Sequence, residues 1–247
     1  MPIISQGSLR NGLLKALPAE SFEGLRPHLE LVDLPMGTIV TERNTPAPHV
    51  HFLETGLVSM ITVSQDDGEQ IEVGHIGWEG MTNFHLAHAV DRTSNRAFVQ
   101  ADATAWRLSS EIVQARLDAD RSFRALVGRY IHTYEIQLAQ SALANGRYNM
   151  HERLARWLLM CHDRLQSDQM QVTHESLSLM LGVRRSGVTT EIQILEGLHL
   201  IKARRGLVHL RDRAGLEEVA GGCYGLPEAE YERWFQIPLS HRSRHVA

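Results

Sequence analysis

Residues 173–196 read Thr-His-Glu-Ser-Leu-Ser-Leu-Met-Leu-Gly-Val-Arg-Arg-Ser-Gly-Val-Thr-Thr-Glu-Ile-Gln-Ile-Leu-Glu, and their spacing predicts two short helices joined by a tight turn. Thr173 is placed to cap the first helix. Leu177 and Leu181 lie four apart on its inner face, and Gly182 supplies the backbone freedom of the turn before Val183 tucks inward. In the second helix Val188, Ile192 and Leu195 recur at i, i+4 and i+7 and so share one buried stripe. Ser186, Thr189, Thr190 and Gln193 then occupy the opposite face as short hydrogen-bonding groups, preceded by Arg184 and Arg185. Such a helix suits a DNA major groove, because arginines meet phosphates or guanine edges while the shorter groups reach bases. Thr173 and His174, at the start of the first helix, join them as candidate DNA contacts. The alternative is an ordinary helical hairpin whose polar face is solvated.

The residues that follow favour DNA. Leu200, Ile201 and Lys202 begin an apolar stretch, Arg204-Arg205-Gly206 turns it, and Leu207, Val208 and Leu210 resume it, a hairpin with a basic tip. A wing of this kind places Arg204 and Arg205 on neighbouring phosphates. Charge supports the same division. Residues 147–213 carry 11 Lys/Arg against 7 Asp/Glu, a net of +4, although the chain as a whole is at −4. Residues 1–146 carry 11 against 17, and that acidic front half is not expected to touch phosphate.

Working toward the N-terminus, the segment from Leu31 to about Leu108 is broken by Gly37, Gly56, Gly68, Gly74, Gly77 and Gly80, with apolar alternation between them. Leu57–Val63 and Gln70–Val73 flank Asp66-Asp67-Gly68, a hairpin signal, and residues 97–100 and 103–106 continue the pattern. A β-roll of jelly-roll type, about 80 residues long, fits this pattern. Leu9–Leu17 and Ser21–Leu29 read as short helices, the second capped by Ser21. From Ser109 the period becomes helical for nearly forty residues. In that stretch Val127, Ile131, Tyr134, Leu138, Ser141 and Asn145 alternate spacings of four and three, the seam of a parallel dimer helix or of a helix packed on its own barrel. Asn145-Gly146 interrupts it, and Asn149 is set to cap a helix whose stripe is Leu154, Leu158, Cys161 and Leu165.

The expected architecture is therefore α+β: a β-roll over 1–108, a long dimerisation helix and hinge over 109–148, a winged helix-turn-helix over 149–213, and a helical extension over 214–247. The extension is expected to pack on the DNA-binding unit, with a dimer-locking or polymerase-contacting role left open. At 247 residues with 43% hydrophobic content the chain can bury a full core. It has no long apolar run, and Met1–Ser8 lacks a basic flank, so the expectation is a cytoplasmic protein without a membrane segment. Cys161 and Cys223 are too few for a disulfide framework or an iron–sulfur cluster, which needs about four thiolates.

The β-roll, long helix, Asn hinge, Arg153–Leu158 and the winged helix-turn-helix together resemble the Crp/Fnr superfamily of bacterial transcription regulators. Leu181–Thr189 and Gly77-Trp78-Glu79-Gly80-Met81 carry the most specific part of the likeness. The resemblance implies a homodimer on a pseudo-palindromic operator, with RNA polymerase as a further partner and a small effector held in the β-roll. It places base readout on Arg185, Ser186, Thr189 and Thr190. It also marks Gly77, Glu79, Gly80, Met81, Asn95 and Arg96 as the effector pocket. Two departures weigh against a cyclic nucleotide as that effector. Where cyclic-AMP-binding relatives carry an Arg-Ser pair, this chain reads Asn95-Arg96, and Leu138-Ala139 is apolar where their long helix offers polar groups. Arg96 or Arg92 remains the candidate cation for a phosphate. Fourteen histidines name no haem ligand by motif.

The competing class is a cupin-like metal enzyme. His49 and His51 share a strand face two residues apart, but Glu54 lies an odd number of residues beyond and points to the other face of a regular strand. His75, His85 and His88 are the remaining candidate ligands. Without a convergent ligand set, a DNA-binding regulator that is not an enzyme is the expected class.

Overall fold

The computed structural model describes residues 4–66 and 68–240. After a 3-10 turn come two short helices, α1 (Gly12–Ala16) and α2 (Ala19–Leu25). Seven strands follow: β1 (Glu30–Leu34), β2 (Ile39–Thr41), β3 (His49–Leu53), β4 (Leu57–Val63), β5 (Gln70–Ile76), β6 (Arg96–Ala101) and β7 (Ala103–Ser109). They pair antiparallel in two sheets, ordered β1-β7-β3 and β2-β6-β4-β5, and side chains of both share one core that includes Val50, Phe52, Val58, Met60, Val99 and Leu108. This is the β-roll expected from the glycine-punctuated alternation. Asp67, the middle of its predicted hairpin turn, lies outside the described residues, as do Met1–Ile3 and residues 241–247.

The C-terminal half holds α3 (Ser110–Ala119), α4 (Arg121–Arg147), α5 (Met150–Leu165), β8 (Gln169–Gln171), α6 (His174–Leu181) and α7 (Arg185–Gly197). It ends in β9 (Ile201–Arg204), β10 (Leu207–Leu210), α8 (Arg213–Ala220) and α9 (Leu226–Phe235). Strands β8-β10-β9 make the wing sheet. A second core, with Leu154, Leu158, Leu177, Val188, Leu195 and Val208, lies under α5 to α8. Among the described residues no helix is long and apolar enough to cross a membrane.

Four expectations change. The helix expected from Ser109 is two helices, because Asp120 adopts extended dihedrals and its carboxylate accepts from the amides of Ser122 (2.9 Å) and Phe123 (3.0 Å). A good N-cap in mid-run competes with helix continuation and wins. Ser21 does not cap α2. Pro18 holds that position, and Ser21 is buried in the helix with its hydroxyl on Asp120. The seam Val127, Ile131, Tyr134 and Ser141 faces the chain's own interior: all four are buried, with the Tyr134 ring 4.8 Å from Phe84. Of the same series, Asn145 is exposed and Leu138 half-buried. The C-terminal extension, finally, does not stay with the helix-turn-helix unit. Helix α8 packs on α5, whereas α9 lies along α4, and its Tyr231 and Phe235, with Leu239 just beyond it, are buried in the β-roll core.

The Asn149 cap is as read. Asn149 accepts from the Glu152 amide (3.1 Å) while the Glu152 carboxylate accepts from the Asn149 amide (2.7 Å), a reciprocal cap that starts α5. Asn149→Ala is expected to lower unfolding stability by about 1 kcal/mol in a denaturant titration. An unchanged midpoint would show the cap to be redundant.

Candidate nucleic-acid interface

Helix α6 begins at Thr173, whose hydroxyl accepts from the Ser176 amide (3.0 Å). It ends at Gly182, which takes φ +61°, and the Val183 amide then bonds the Ser178 carbonyl (3.0 Å). A side chain at position 182 would be strained by that dihedral and would press on Ile71 of β5. Helix α7 starts two residues later. Arg184 is its N-cap and offers no side-chain acceptor, so the first amides of α7 point outward from the positive end of the helix. Arg184, Arg185, Ser186, Thr190 and Gln193 are exposed. Val188, Ile192 and Leu195 are buried beneath them, as their spacing required.

Two candidates are less free than their spacing implied. Thr189 is half-buried, with its hydroxyl on the Arg185 carbonyl (3.1 Å) and against His174 Nδ1 (3.0 Å). His174 thus braces α6 on α7, and both residues support the exposed face of α7. Thr190 also donates to its own helix, at the Ser186 carbonyl (3.2 Å), so its hydroxyl keeps only acceptor capacity. Ile194, 43% exposed, continues the outward row and offers an apolar surface of the kind that meets a thymine methyl group. It escaped sequence reading because an isoleucine beside the buried stripe is ordinarily assigned to the core.

The wing turns at Arg205 and Gly206, both with positive φ (44° and 81°), a two-residue hairpin turn between paired Arg204 and Leu207. Arg204 and Arg205 are exposed at its tip, and Lys202 pairs with Glu196 (3.2 Å) at its base. The exposed α7 row and the arginine tip lie on one folded unit.

The residues marked as an effector pocket are arranged differently. Glu79, only 3% exposed, accepts from Arg164 Nε (2.8 Å) and from the Gly77 amide (3.0 Å). Gly80 lies against the Tyr130 hydroxyl, Gly77 against the Arg164 stem, and Met81 is buried. The space between Glu79, Tyr130, Arg164 and Tyr231 is about 10 Å³, at the lower limit for a single water. Asn95 and Arg96 are elsewhere, on the outer start of β6, with Arg96 3.5 Å from Glu42. Burial, and then Glu79, push the Tyr130 and Tyr231 phenols well above their usual range. Burial pulls Arg164 down, but Glu79, Glu228 and Asp163 outweigh it and hold the guanidinium charged.

Arg164 is one of three successive buried groups at the end of α5, none of which local pattern could assign. His162 meets Asp168 (2.8 Å), Asp163 takes Arg213 (2.9 Å) and the Tyr224 hydroxyl (2.6 Å), and Arg164 takes Glu79. The Asp163 carbonyl also accepts from Trp78 Nε1 (3.0 Å). On the β-roll, Glu54 spends its carboxylate on the Arg10 and Asn11 amides (2.8 and 3.0 Å), and the His49 and His51 rings are 6.4 Å apart. Burial, then His49 and Arg107, lower His51 to about 4. Among the described residues no three His, Cys, Asp or Glu side chains converge as metal ligands. Cys161 and Cys223 are buried and unpaired.

Residues 152–219 match the Crp-like helix-turn-helix domain. None of the curated proteins matches the sequence significantly. Among solved structures, a putative transcriptional regulator of the Crp/Fnr family from Eubacterium rectale is similar at TM-score 0.66 and 17% identity, covering 84% of this chain and 97% of its own. FixK2 from Bradyrhizobium japonicum is similar at TM-score 0.67 and 15% identity, covering 78% of this chain and 98% of its own. A CRP-family transcriptional regulator from Thermus thermophilus is similar at 0.65 and 20%, with 77% and 97% covered. Residues 152–219 thus form a Crp-like helix-turn-helix domain, set in a chain that has the Crp/Fnr fold from β-roll to wing.

Proposed function

We infer that this protein is a transcription regulator that binds DNA as a homodimer on an inverted-repeat operator. The observation that carries this reading is the uncapped, arginine-flanked start of α7, exposed beside an arginine-tipped wing. Arg185, Ser186, Thr190, Gln193 and Ile194 read bases, and Arg184, Arg204 and Arg205 hold phosphates. Two copies associate along the outer face of α4. There Ala125, Gly128, His132, Ile136, Ala139, Leu143 and Gly146 recur at spacings of three and four, and apart from half-buried Ile136 all are exposed in the single chain. Small residues at most of these positions let two helices approach closely, and Leu143, 42% exposed, supplies the apolar contact. Paired recognition helices then meet successive major grooves about 34 Å apart.

Selection from a random DNA pool, followed by the salt dependence of the winner, tests the reading. An inverted repeat with a steep salt slope is expected. No enrichment at any salt would sink it. On that operator Arg204→Ala is expected to weaken binding to all sequences and reduce the salt slope by about 1, while Arg185→Ala costs about 1–3 kcal/mol and relaxes the preference for one base pair. A changed base preference for Arg204→Ala with an unaltered slope would reverse the two assignments.

A further inference from the structure

The tail passes from one hydrophobic core to the other within a few residues. Cys223 and Tyr224 belong to the core under α5 to α8, and Tyr231, Phe235 and Leu239 to the core of the β-roll. The docking is built. The Tyr231 ring is 1% exposed, stacks on Phe235 at 4.5 Å and meets Trp78 edge-on at 6.4 Å, and its hydroxyl donates to the Glu79 carbonyl (3.0 Å). That hydroxyl lies so close to α1 that position 12 has no room for a Cβ. One turn earlier, Glu228 is buried with its carboxylate 3.9 Å from Arg164. Glu79, the residue that resemblance alone would give to an effector, is thus held on its side chain by the DNA-binding unit through Arg164 and on its carbonyl by the tail through Tyr231.

We propose that α9 is this chain's built-in effector: its docking surface on the β-roll, made by Gly12, Trp78 and the Glu79 carbonyl, is occupied by the chain's own tail, which holds the DNA-reading arrangement with no small molecule bound. The proposal rests on the DNA-binding reading above. A ligand raises affinity by raising the fraction of molecules in the competent arrangement, and a covalently attached segment does the same at every concentration. Nothing of effector size fits beside Glu79 while the tail is docked, since only about 10 Å³ remains there.

The test is binding of the selected operator duplex, measured by anisotropy on purified full-length protein without added ligand. Wild type is expected to bind. Gly12→Ala, whose methyl group collides with the Tyr231 hydroxyl, is expected to bind at least about tenfold more weakly, as when the competent fraction falls to about a tenth. Adding Tyr231→Phe removes the colliding atom and is expected to restore most of the loss. Wild-type affinity in Gly12→Ala, or a double variant as weak as the single, overturns the proposal. So does a wild type that binds its operator only when cell extract is added. Hydrogen exchange on the wild type decides the matter independently of any variant's folding: α9 amides are expected to be protected as strongly as β4. Rapid exchange in α9 with β4 protected would likewise overturn the latch. If no DNA sequence is selected at all, the functional reading fails, while the exchange pattern still decides whether the tail is docked.

Discussion

Arg164→Met is expected to destabilise the protein by about 3–5 kcal/mol. The loss has little to do with the attraction the arginine supplies. A buried ion pair nearly balances desolvation against Coulomb energy, but removing one partner strands the other, and here it strands Glu79 and leaves Glu228 with Arg156 as its remaining cation. Glu228 already has its carboxyl raised, by burial and then by Asp163, with Arg164 opposing. Without Arg164 the Glu228 carboxyl is raised further and takes up a proton on folding. A group whose folded-state pKa is raised contributes stability below its unfolded value and loses it as pH rises, so the variant's deficit is expected to shrink as pH falls from about 8 towards 5. Adding Glu79→Gln and Glu228→Gln should remove much of the deficit and most of its pH dependence. Urea unfolding across that range measures both. A deficit below about 1 kcal/mol, or one that grows towards acid, would show that the guanidinium is not what neutralises the two carboxyls.

Leu143→Glu is expected to lower operator affinity by more than about 100-fold while leaving the fold intact. On the outer face of α4 the leucine is solvent-exposed in a single chain, so a carboxylate there costs the monomer little. In a paired arrangement two such carboxylates would meet across the axis and be desolvated together. The half-sites would then be bound one at a time, and the gain from linking two binding events, about 10²–10⁴, would be lost. Sedimentation should show a monomer, and binding to a single half-site should survive. A dimer of undiminished stability would move the interface off this face of α4.

The helix-turn-helix was legible because every device in it is local. A cap and a turn glycine lie within ten residues of each other, and the buried stripe spans two helical turns, so Thr173, Gly182 and Val188–Leu195 specify their own geometry. The wing and the hinge cap were legible for the same reason. The phase of α4 was not. Val127, Ile131 and Tyr134 form the most apolar stripe on that helix, and periodicity finds such a stripe without saying whether a second chain or the chain's own β-roll covers it. The β-roll covers it here, and the weaker row of alanines and glycines is what remains outside. Glu79 was misleading in another way. Its motif suits a ligand contact, but its partner is 85 residues away, on a helix whose own stripe gives Arg164 no inward role. The tail's aromatics announced burial but not their destination, which depends on a path from α8 back to α4 that no local signal encodes.

Helix α5 carries Trp157 onto Glu72 (2.7 Å) and Arg164 onto Glu79 on one side, and Leu154 and Leu158 into the DNA-binding core on the other. Every side chain from Leu154 to Arg164 is buried. Regulators of this plan invite domain grafting, in which a reading head is moved onto a foreign sensor by cutting at the hinge. In this chain a cut at Asn149 would transplant a helix whose second face has lost its socket, exposing Trp157 and stranding Arg164. A transferable head would have to be re-surfaced along that face or moved together with β5 and the tail. The natural structural unit here is therefore larger than the helix-turn-helix domain, and the β-roll and that domain are expected to be transferable only as one piece.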